Sequence, residues 1–460
     1  MPAQGKGRSK PTQRATRTRG ERPVVAIVGR PNVGKSALFN RLAGSRLSIV
    51  EDVPGVTRDR IYADGKAFGR EYVLIDTGGF DPQSEDPMTQ GIASQVHIAL
   101  AEADLVLCVL DGTTGPLPAD REAIALLRRS EVPVLFLANK IDHRGAALGA
   151  SELYRLGIDG LMPVSALHGH GIGDLEERIA EELGPKPNEP EEEFAPDACR
   201  IAIVGRPNAG KSSLVNRLLG EERQLVDNRP GTTVDSVDTL VEHGSQSLVL
   251  IDTAGIRRRR SVERGVEALS VIQAIKAIER SDVVVLMIDA ERGPAEQDTK
   301  ILGLALDRGR AITIALNKVD LLDAEGCKRA EEKARDVLSF IPWAPMCRVS
   351  VSRGRGLTKL LDSAVRCAQA NRKRASTGEL NRFFEEVLEH HPPPTHGGRA
   401  VRLYYVTQAT VAPPTFVAVS NHPDRVHFSY KRYVINQLRK RFGFEGCPVR
   451  VYYRPKRKKN

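Results

Sequence analysis

Two eight-residue segments of this sequence have the composition of a phosphate-binding loop (P-loop). GRPNVGKS spans Gly29 to Ser36, and GRPNAGKS spans Gly205 to Ser212. In the pattern G-x-x-x-x-G-K-[ST], the glycines bring backbone N–H groups close to phosphate oxygens, the lysine places a charge at the β- and γ-phosphates, and the last hydroxyl faces Mg²⁺. Each segment follows a strand-like apolar run and precedes a helical stretch, so the sequence predicts two nucleoside triphosphate sites.

Carboxylates and hydroxyls suited to Mg²⁺ follow each loop in the same order. Asp76 in DTGG and Asp252 in DTAG each end an apolar run, and we expect them to hold Mg²⁺ through water, with the following glycines near the γ-phosphate. Thr57 in PGVTRD and Thr233 in PGTTVD fit the switch threonine that closes on Mg²⁺ when the γ-phosphate is present. Thr232 is an alternative to Thr233 in the second copy.

Two further motifs indicate which nucleotide base is bound: NKID, residues 139–142, and NKVD, residues 317–320. The carboxylate that ends this motif can accept hydrogen bonds from N1–H and from the 2-amino group of guanine. Adenine offers neither donor, and a polar group left unpaired can discriminate between ligands by about 10⁴-fold. The two motifs therefore predict guanine specificity. Behind the base we expect Ser165 and Ala166 of VSAL, and in the second copy VSVS places Val351 where the first copy has alanine.

The set of residues expected to contact the nucleotide includes both loops and the motifs that follow them. In the first copy these are Gly29, Arg30, Pro31, Asn32, Val33, Gly34, Lys35, Ser36, Asp76, Thr77, Gly78, Gly79, Asn139, Lys140, Asp142, Ser165 and Ala166. In the second copy they are Gly205, Arg206, Pro207, Asn208, Ala209, Gly210, Lys211, Ser212, Asp252, Thr253, Ala254, Gly255, Asn317, Lys318, Asp320, Ser350 and Val351. The residues expected at Mg²⁺ are Ser36, Thr57, Asp76, Ser212, Thr233 and Asp252.

The sequence has no residue suited to orient the attacking water. Small signalling GTPases place a glutamine directly after DxxG, but Phe80 and Ile256 stand there in this chain. We therefore expect slow basal hydrolysis. Asn32 and Asn208 match an asparagine that binds a monovalent cation in related GTPases, so we expect K⁺ to stimulate the rate; the alternative is that both only shape the loop. The groups expected to position charge are Lys35, Lys211, Asn32 and Asn208.

The elements that carry these motifs alternate between short apolar strands and helical stretches. This alternation predicts α/β domains with a mostly parallel sheet and helices on both faces. A linker, Gly184 to Asp197, has four prolines and five acidic residues, and after it each motif returns 176 to 178 residues later. A period this long indicates a duplicated domain. The expected divisions are a basic disordered tail at 1–22, GTPase domains at 23–184 and 199–372, the linker at 185–198 and a third domain at 376–460.

The third region has a different composition. It holds 12 of the 22 Phe, Tyr and Trp residues, and residues 371–460 hold 18 Lys or Arg against six Asp or Glu. Its pattern predicts the order α-β-β-α-β, with a helix over 428–442. We expect most of these aromatic residues to form a core, and the exposed cations to meet a polyanion such as RNA. GFEG, residues 443–446, has G-x-x-G spacing but lies between helix and strand, which predicts a turn.

Composition excludes several classes of protein. The longest aliphatic runs are far shorter than the ~20 residues that span a bilayer, and no secretory pattern opens the chain. The six cysteines form no CxxC pair, which indicates a reduced, cytoplasmic protein without structural zinc. Seven Lys or Arg against one Glu in residues 1–22 make the opening segment basic as well.

The tandem GRPN loops, DTGG before DTAG, the two NKxD motifs and the basic aromatic end closely resemble the EngA/Der family over residues 23–455. This resemblance implies two P-loop GTPase domains, a KH-like RNA-binding domain, GTP hydrolysis with Mg²⁺, and nucleotide-dependent binding of rRNA or the precursor of the large (50S) ribosomal subunit during its assembly. It implies a monomer that acts in the cytoplasm without a membrane. The alternatives are a non-enzymatic rRNA chaperone whose GTP sites act as sensors, and a GTPase of membranes or tRNA modification.

Overall fold

The computed structural model contains three sheets, each with its own helices. It describes residues 22–43, 62–77, 92–142, 152–153, 156–158, 160–184, 198–221, 238–253, 266–394 and 401–456. Within these ranges, two six-stranded sheets repeat one topology and a three-stranded sheet ends the chain. The predicted α/β class is confirmed, with two repeats of a mostly parallel sheet and a smaller C-terminal domain of α-helices and β-strands.

The first sheet has the strand order β2-β3-β1-β4-β5-β6, and all neighbours are parallel except β2 and β3. Its elements are β1 Val24–Val28, α1 Lys35–Ala43, β2 Tyr62–Ala67, β3 Arg70–Asp76, α2 Ile92–Glu102, β4 Leu105–Asp111, α3 Pro118–Leu127, β5 Val134–Asn139, β6 Met162–Pro163 and α4 Ile172–Leu183. β1 and β4 are buried along their whole length because helices cover both faces of the sheet, which is why their sequences are continuous apolar runs.

The second sheet repeats this order as β8-β9-β7-β10-β11-β12, again with one antiparallel edge pair. Its elements are β7 Cys199–Val204, α5 Lys211–Glu221, β8 Thr239–His243, β9 Gln246–Ile251, α6 Val266–Arg280, β10 Val283–Asp289, α7 Glu296–Asp307, β11 Ala311–Asn317, α8 Ala324–Val337, β12 Met346–Arg348 and α9 Leu357–Arg372. In both copies the P-loop joins the central strand to the next helix, so the carboxyl ends of the parallel strands surround it.

The C-terminal domain has the predicted order α-β-β-α-β. Its elements are α10 Thr377–His390, β13 Leu403–Thr410, β14 Thr415–Ser420, α11 Phe428–Phe442 and β15 Arg450–Pro455. β14 lies in the centre, antiparallel to β13 and parallel to β15. α10 begins earlier than the apolar pattern indicates because the Ser376 hydroxyl accepts from the Glu379 N–H, and the Glu379 carboxylate accepts in return.

The second GTPase domain and the C-terminal domain share one apolar core. It joins Ala364 and Cys367 of α9 to Phe444 and Cys447 at the end of the chain. The N–H of Ile312 in β11 donates to the Gly446 carbonyl at 2.6 Å. The strand that carries Asn317 is therefore hydrogen-bonded to the C-terminal domain at its other end.

The first GTPase domain contacts the second through ion pairs. Arg22 donates to both carboxylate oxygens of Glu279, at 3.1 and 2.6 Å, and Arg308 donates to both oxygens of Asp64, at 2.7 and 2.5 Å. Glu279 is 7% exposed, so its ion pair with Arg22 is largely shielded from water, whereas Asp64 is 40% exposed.

The six cysteines all lie within the described residues, where they are buried and form no disulfide. Burial raises the pKa of Cys108 and Cys447 to about 12, so these thiols stay protonated at neutral pH. No helix in the described ranges has the length and hydropathy of a membrane span.

Candidate nucleotide-binding site

Both P-loops require glycine at their sixth position. Gly34 has φ +97°, and a Cβ placed there would lie 2.2 Å from Nδ2 of Asn139. Gly210 repeats this geometry with φ +104° and 2.3 Å to Nδ2 of Asn317. The phosphate loop and the base-reading motif therefore touch in each copy, and only glycine allows that approach.

Each P-loop lysine is held by its own loop. Nζ of Lys35 donates to the carbonyls of Gly29 at 2.7 Å and Arg30 at 3.0 Å. Lys211 makes the same pair of hydrogen bonds, both at 2.6 Å, to the corresponding carbonyls of the second loop. Burial lowers the pKa of Lys35. The ammonium is thus fixed within the loop that is expected to receive the phosphates.

The expected Mg²⁺ ligands of the first copy lie side by side. The Ser36 hydroxyl donates to Oδ2 of Asp76 at 3.2 Å, so this pair offers only oxygen atoms, which suit Mg²⁺. In the second copy Asp252 has φ +57°, and its N–H donates to Oδ1 of Asp238 at 3.1 Å. The residues of the first copy fit a magnesium ion held at the carboxyl end of β3. The role of Ser212 and Asp252 at Mg²⁺ stays a prediction.

Asn139 connects three segments of the first site. Its Nδ2 donates to the Val33 carbonyl in the P-loop at 2.8 Å, and its Oδ1 accepts from the Ala166 N–H at 2.9 Å. Asn139 is 2% exposed, so both hydrogen bonds are shielded from water. The first residue of NKxD therefore binds the protein itself and fixes the loops on either side of the base.

The second copy reproduces this connection despite its different sequence. Asn317 donates to the Ala209 carbonyl at 2.9 Å and accepts from the Val351 N–H at 3.1 Å. Because the hydrogen bond to Asn317 comes from the backbone N–H of Val351, the change from alanine in the first copy to valine in the second leaves it intact.

The carboxylates that are expected to read guanine are oriented by serines. Ser165 donates to Oδ1 of Asp142 at 2.7 Å, and Ser352 donates to Oδ2 of Asp320 at 3.1 Å. A hydrogen bond from the Ser350 hydroxyl lowers the pKa of Asp320. Both acids are therefore oriented by hydrogen bonds, and the lowered pKa of Asp320 favours its ionised, accepting form.

Two aspartates that the motif search missed hold the lysines of NKxD. Lys140 lies 2.7 Å from Oδ2 of Asp111 at the end of β4, and Lys318 lies 2.6 Å from Oδ2 of Asp289 at the end of β10. Burial alone would raise the pKa of each aspartate, but the hydrogen bonds, led by the lysine, lower it. The signal for these residues was the repeated Leu-Asp or Ile-Asp that ends the corresponding apolar run.

The P-loop arginines reach a second pair of buried aspartates. Nε of Arg30 lies 3.3 Å from Asp120, and Nε of Arg206 lies 3.1 Å from Asp298. Asp298 is 1% exposed and also accepts from the Ala295 N–H at the start of α7. These contacts connect the first P-loop to α3 and the second to α7, the helices that follow β4 and β10. They assign the arginine side chains to loop support, and a direct contact of Arg30 or Arg206 with nucleotide stays a prediction.

Replacing Arg206 with methionine is expected to lower the free energy of unfolding of the second domain by about 3 kcal/mol at pH 8, because a buried carboxylate loses its cation. Burial already raises the pKa of Asp298, and loss of Arg206 raises it further. An acid whose folded pKa is raised loses stability as pH rises through that pKa, so the deficit shrinks at pH 5. The free energy of unfolding is measured at both pH values by urea titration, with the fluorescence of Trp343, the one tryptophan, as the signal.

The matched control for that experiment is the double variant Arg206→Met/Asp298→Asn. Asparagine keeps an oxygen for the Ala295 N–H and removes the charge, so most of the lost stability should return. A deficit that is the same at both pH values and in the double variant would show that Arg206 acts through packing alone.

A third repeated contact joins the helix after each P-loop to the loop behind the base. Arg41 in α1 donates to the Leu167 carbonyl and, through Nε, to the Ala166 carbonyl at 3.0 Å, and Arg217 in α5 donates to the Ser352 carbonyl, which corresponds to that of Leu167, at 3.0 Å. These arginines occupy the same place in FNRL and VNRL. The repetition of this contact in both copies indicates that it belongs to the site's architecture.

Several predicted residues lie outside the described residues. They are Thr57, Thr233, Gly78, Gly79, Ala254, Gly255, Phe80 and Ile256. Their roles stay predictions.

Comparisons with known proteins cover most of the chain. A family model described as 50S ribosome-binding GTPase matches residues 24–140 and again residues 200–318. A second model, described as the KH-domain-like C-terminal domain of EngA bacterial GTPase enzymes, matches residues 374–454. GTPase Der of Moorella thermoacetica is 46% identical over 435 residues, 94% of this chain and 98% of that protein. GTPase Der of Thermomicrobium roseum is 47% identical over 442 residues, 94% of this chain and 96% of that protein.

Proposed function

This chain belongs to the GTPase Der family, and on that premise we propose that it is a guanine-nucleotide switch that binds the large ribosomal subunit or its precursor and promotes its maturation. As a family member it is a GTPase that converts GTP to GDP and phosphate. Beyond GTP hydrolysis, we propose that the large subunit or its precursor is the binding partner and that this binding depends on the bound nucleotide. We also propose that the protein acts as a monomer in the cytoplasm and does not bind membranes.

One observation supports the proposal that binding to the large subunit depends on the bound nucleotide. The two ends of β11 make different contacts. At its carboxyl end, Asn317 hydrogen-bonds both the P-loop and the loop behind the expected base, and near its amino end the N–H of Ile312 donates to the Gly446 carbonyl of the C-terminal domain. Arg450 of β15 also donates to the Leu306 and Asp307 carbonyls, at 3.1 and 2.7 Å, at the end of α7. A displacement at the second nucleotide site therefore has a short, continuous route to the C-terminal domain.

Two observations support the large ribosomal subunit as the binding partner: the positive charge of the C-terminal domain and the description of the matching family model. The C-terminal domain is strongly basic, and a polyanion is the partner that such a charge attracts. The matching family model is described as 50S ribosome-binding, which favours the large subunit over other RNA-containing particles. Binding that is strong in one nucleotide state and weak in another would require a differential affinity between those states.

Sedimentation with purified ribosomal subunits tests the proposal. At fixed salt, the full chain with a non-hydrolysable GTP analogue should pellet with the large subunit, and with GDP it should remain mainly in the supernatant. Pelleting that is equal in all nucleotide states, or equal with both subunits, would contradict the proposal.

We also propose slow basal turnover that K⁺ stimulates. Asn32 and Asn208 hold the same left-handed conformation at corresponding loop positions, with φ of 65° and 64°. The amide oxygen of asparagine suits a hard monovalent cation, and a cation beside the phosphates would supply charge where neither copy has a glutamine.

Replacing NaCl with KCl at equal ionic strength should raise single-turnover GTP hydrolysis by about 10²-fold, the scale of one electrostatic contact in the transition state. Asn32→Ala/Asn208→Ala should abolish the difference between the salts, and the same variant should still bind GDP. Equal rates of the wild-type protein in the two salts would exclude this role for K⁺.

A further inference from the structure

The C-terminal sheet has one covered face and one exposed face. On the covered face, Phe416 and Ala418 of β14 are buried in one core with Val434 and Leu438 of α11. Successive residues of a strand point to opposite faces, so Val417 and its neighbours in register belong to the other face.

Strand register identifies the residues of that outer face. Val417 is paired with Tyr452 of β15, and Val419 is paired with Tyr405 of β13 and with Arg454 of β15. Tyr405 is 45% exposed and Tyr452 is 38% exposed, while Val419 between the neighbouring side chains is 7% exposed. We call these five residues the outer sheet face.

The chemistry of the outer sheet face suits nucleic acid. The three strands carry no Asp or Glu, and Arg454 on this face is exposed. At its edge, Nζ of Lys456 lies 5.1 Å from the ring centroid of Tyr404, which is 45% exposed. Exposed aromatic rings beside cations, without carboxylates, provide stacking surfaces for bases and charges for phosphates.

The exposure of the tyrosines distinguishes them from the other aromatic residues of this domain. Most of the twelve are buried or half-buried, as the sequence indicated: Phe383, Phe384, Phe416, Tyr430, Tyr433, Phe442, Phe444 and Tyr453. The exposed ones are Tyr404, Tyr405, Phe428 and Tyr452. Three of these four lie on the sheet, and none of those three is needed to fill the core.

We propose that the outer sheet face binds unpaired bases of RNA by stacking on Tyr405 and Tyr452, with Arg454 and Lys456 at the phosphates. The proposal rests on the RNA-binding function proposed above and specifies its surface and its ligand. The two tyrosines stand on either side of β14, on the order of 10 Å apart, so each takes a separate, splayed base. Paired bases are stacked inside a duplex and cannot reach the rings, so single-stranded RNA is preferred.

Fluorescence anisotropy with the full chain tests this directly. The probes are a labelled single-stranded 12-nucleotide RNA of mixed sequence and the same RNA annealed to its complement. The wild-type protein should bind the single strand at least 10-fold more tightly. Tyr405→Ala/Tyr452→Ala should weaken single-strand binding by about 30-fold and leave duplex binding within twofold. Tyr405→Phe/Tyr452→Phe should keep wild-type affinity because the rings remain.

Salt dependence separates stacking from charge. The alanine variant should keep the wild-type slope of log K against log salt, whereas Arg454→Gln should reduce its magnitude by about 0.7 because one phosphate contact is lost. Phe428→Ala is the matched control, since Phe428 is 56% exposed and has Arg432 over its ring at 5.6 Å, but lies on α11. It should leave both affinities unchanged.

The outcomes distinguish this proposal from the broader function. If the wild-type protein binds RNA and the tyrosine-to-alanine variant binds it equally well, the outer sheet face is not the RNA surface, although nucleotide-dependent binding to the subunit stands. An equal loss in Phe428→Ala would also overturn the assignment. A variant that binds naked RNA normally but fails to pellet with the large subunit would show that this face binds protein.

Discussion

Asp320→Asn is expected to weaken GTP binding at the second site by about 10³-fold and to create binding of xanthosine triphosphate. Asp320 is oriented by Ser352, and hydrogen bonding lowers its pKa, so we expect it to present acceptors to the N1–H and 2-amino groups of guanine. An asparagine amide would turn an NH₂ group toward that amino group. Xanthine carries an oxygen at C2, which can accept from the new amide.

The measurement is the affinity for each nucleotide in a Lys35→Ala background, which leaves the second site as the one observed. The matched control is Asp323→Asn. Asp323 lies three residues further along, and its side chain accepts from the Gly326 N–H at the start of α8. Asparagine caps a helix as well as aspartate does, so this variant should keep GTP affinity. If Asp320→Asn retains its preference for GTP over xanthosine triphosphate, Asp320 does not read the base.

Lys211→Ala is expected to lower GTP hydrolysis at the second site by at least about 10²-fold, because the charge beside the β- and γ-phosphates is lost where it stabilises the transition state. Nζ of Lys211 is held by two loop carbonyls at 2.6 Å, and no other lysine occupies the second loop. Lys35→Ala should have the same effect on the first site.

Single-turnover hydrolysis with the two single variants and the double variant apportions the rate between the sites. Each single variant should retain the part due to the other site, and the double variant should show almost none. Lys328→Ala, at an exposed position of α8, is the control and should hydrolyse GTP at the wild-type rate. If either single P-loop variant keeps the full wild-type rate, its site contributes nothing to turnover.

The parts of this protein that the sequence predicts well are those with a local signal. The central strands were recognisable because burial on both faces requires continuous apolar runs, as in Leu105–Asp111. The P-loops and NKxD motifs were recognisable because their chemistry fixes residue types at short spacing. The contact between Gly34 and Asn139 shows why these motifs occur together, but their spacing along the chain does not reveal it.

Other features could not be predicted because they depend on contacts between segments far apart in the sequence, or on strands whose side chains are only partly buried. The edge strand β2, YADGKA, is only partly buried and lacks an apolar run, so no periodic signal marks it. The pairs Arg30–Asp120 and Arg206–Asp298 join residues about 90 positions apart, and only the fold brings them together. Likewise, alternation in β15 alone cannot separate the exposed Tyr452 from its half-buried neighbour Tyr453, because the helices decide which face is covered.

We expect this chain to contain two guanine-nucleotide sites, because the described residues of both copies make the same contacts. Equilibrium dialysis of the full chain against a labelled non-hydrolysable GTP analogue, with Mg²⁺ present and an excess of unlabelled ATP, measures the number of sites. We expect two molecules of analogue to bind per chain. One molecule per chain, or two that ATP displaces, would contradict this expectation.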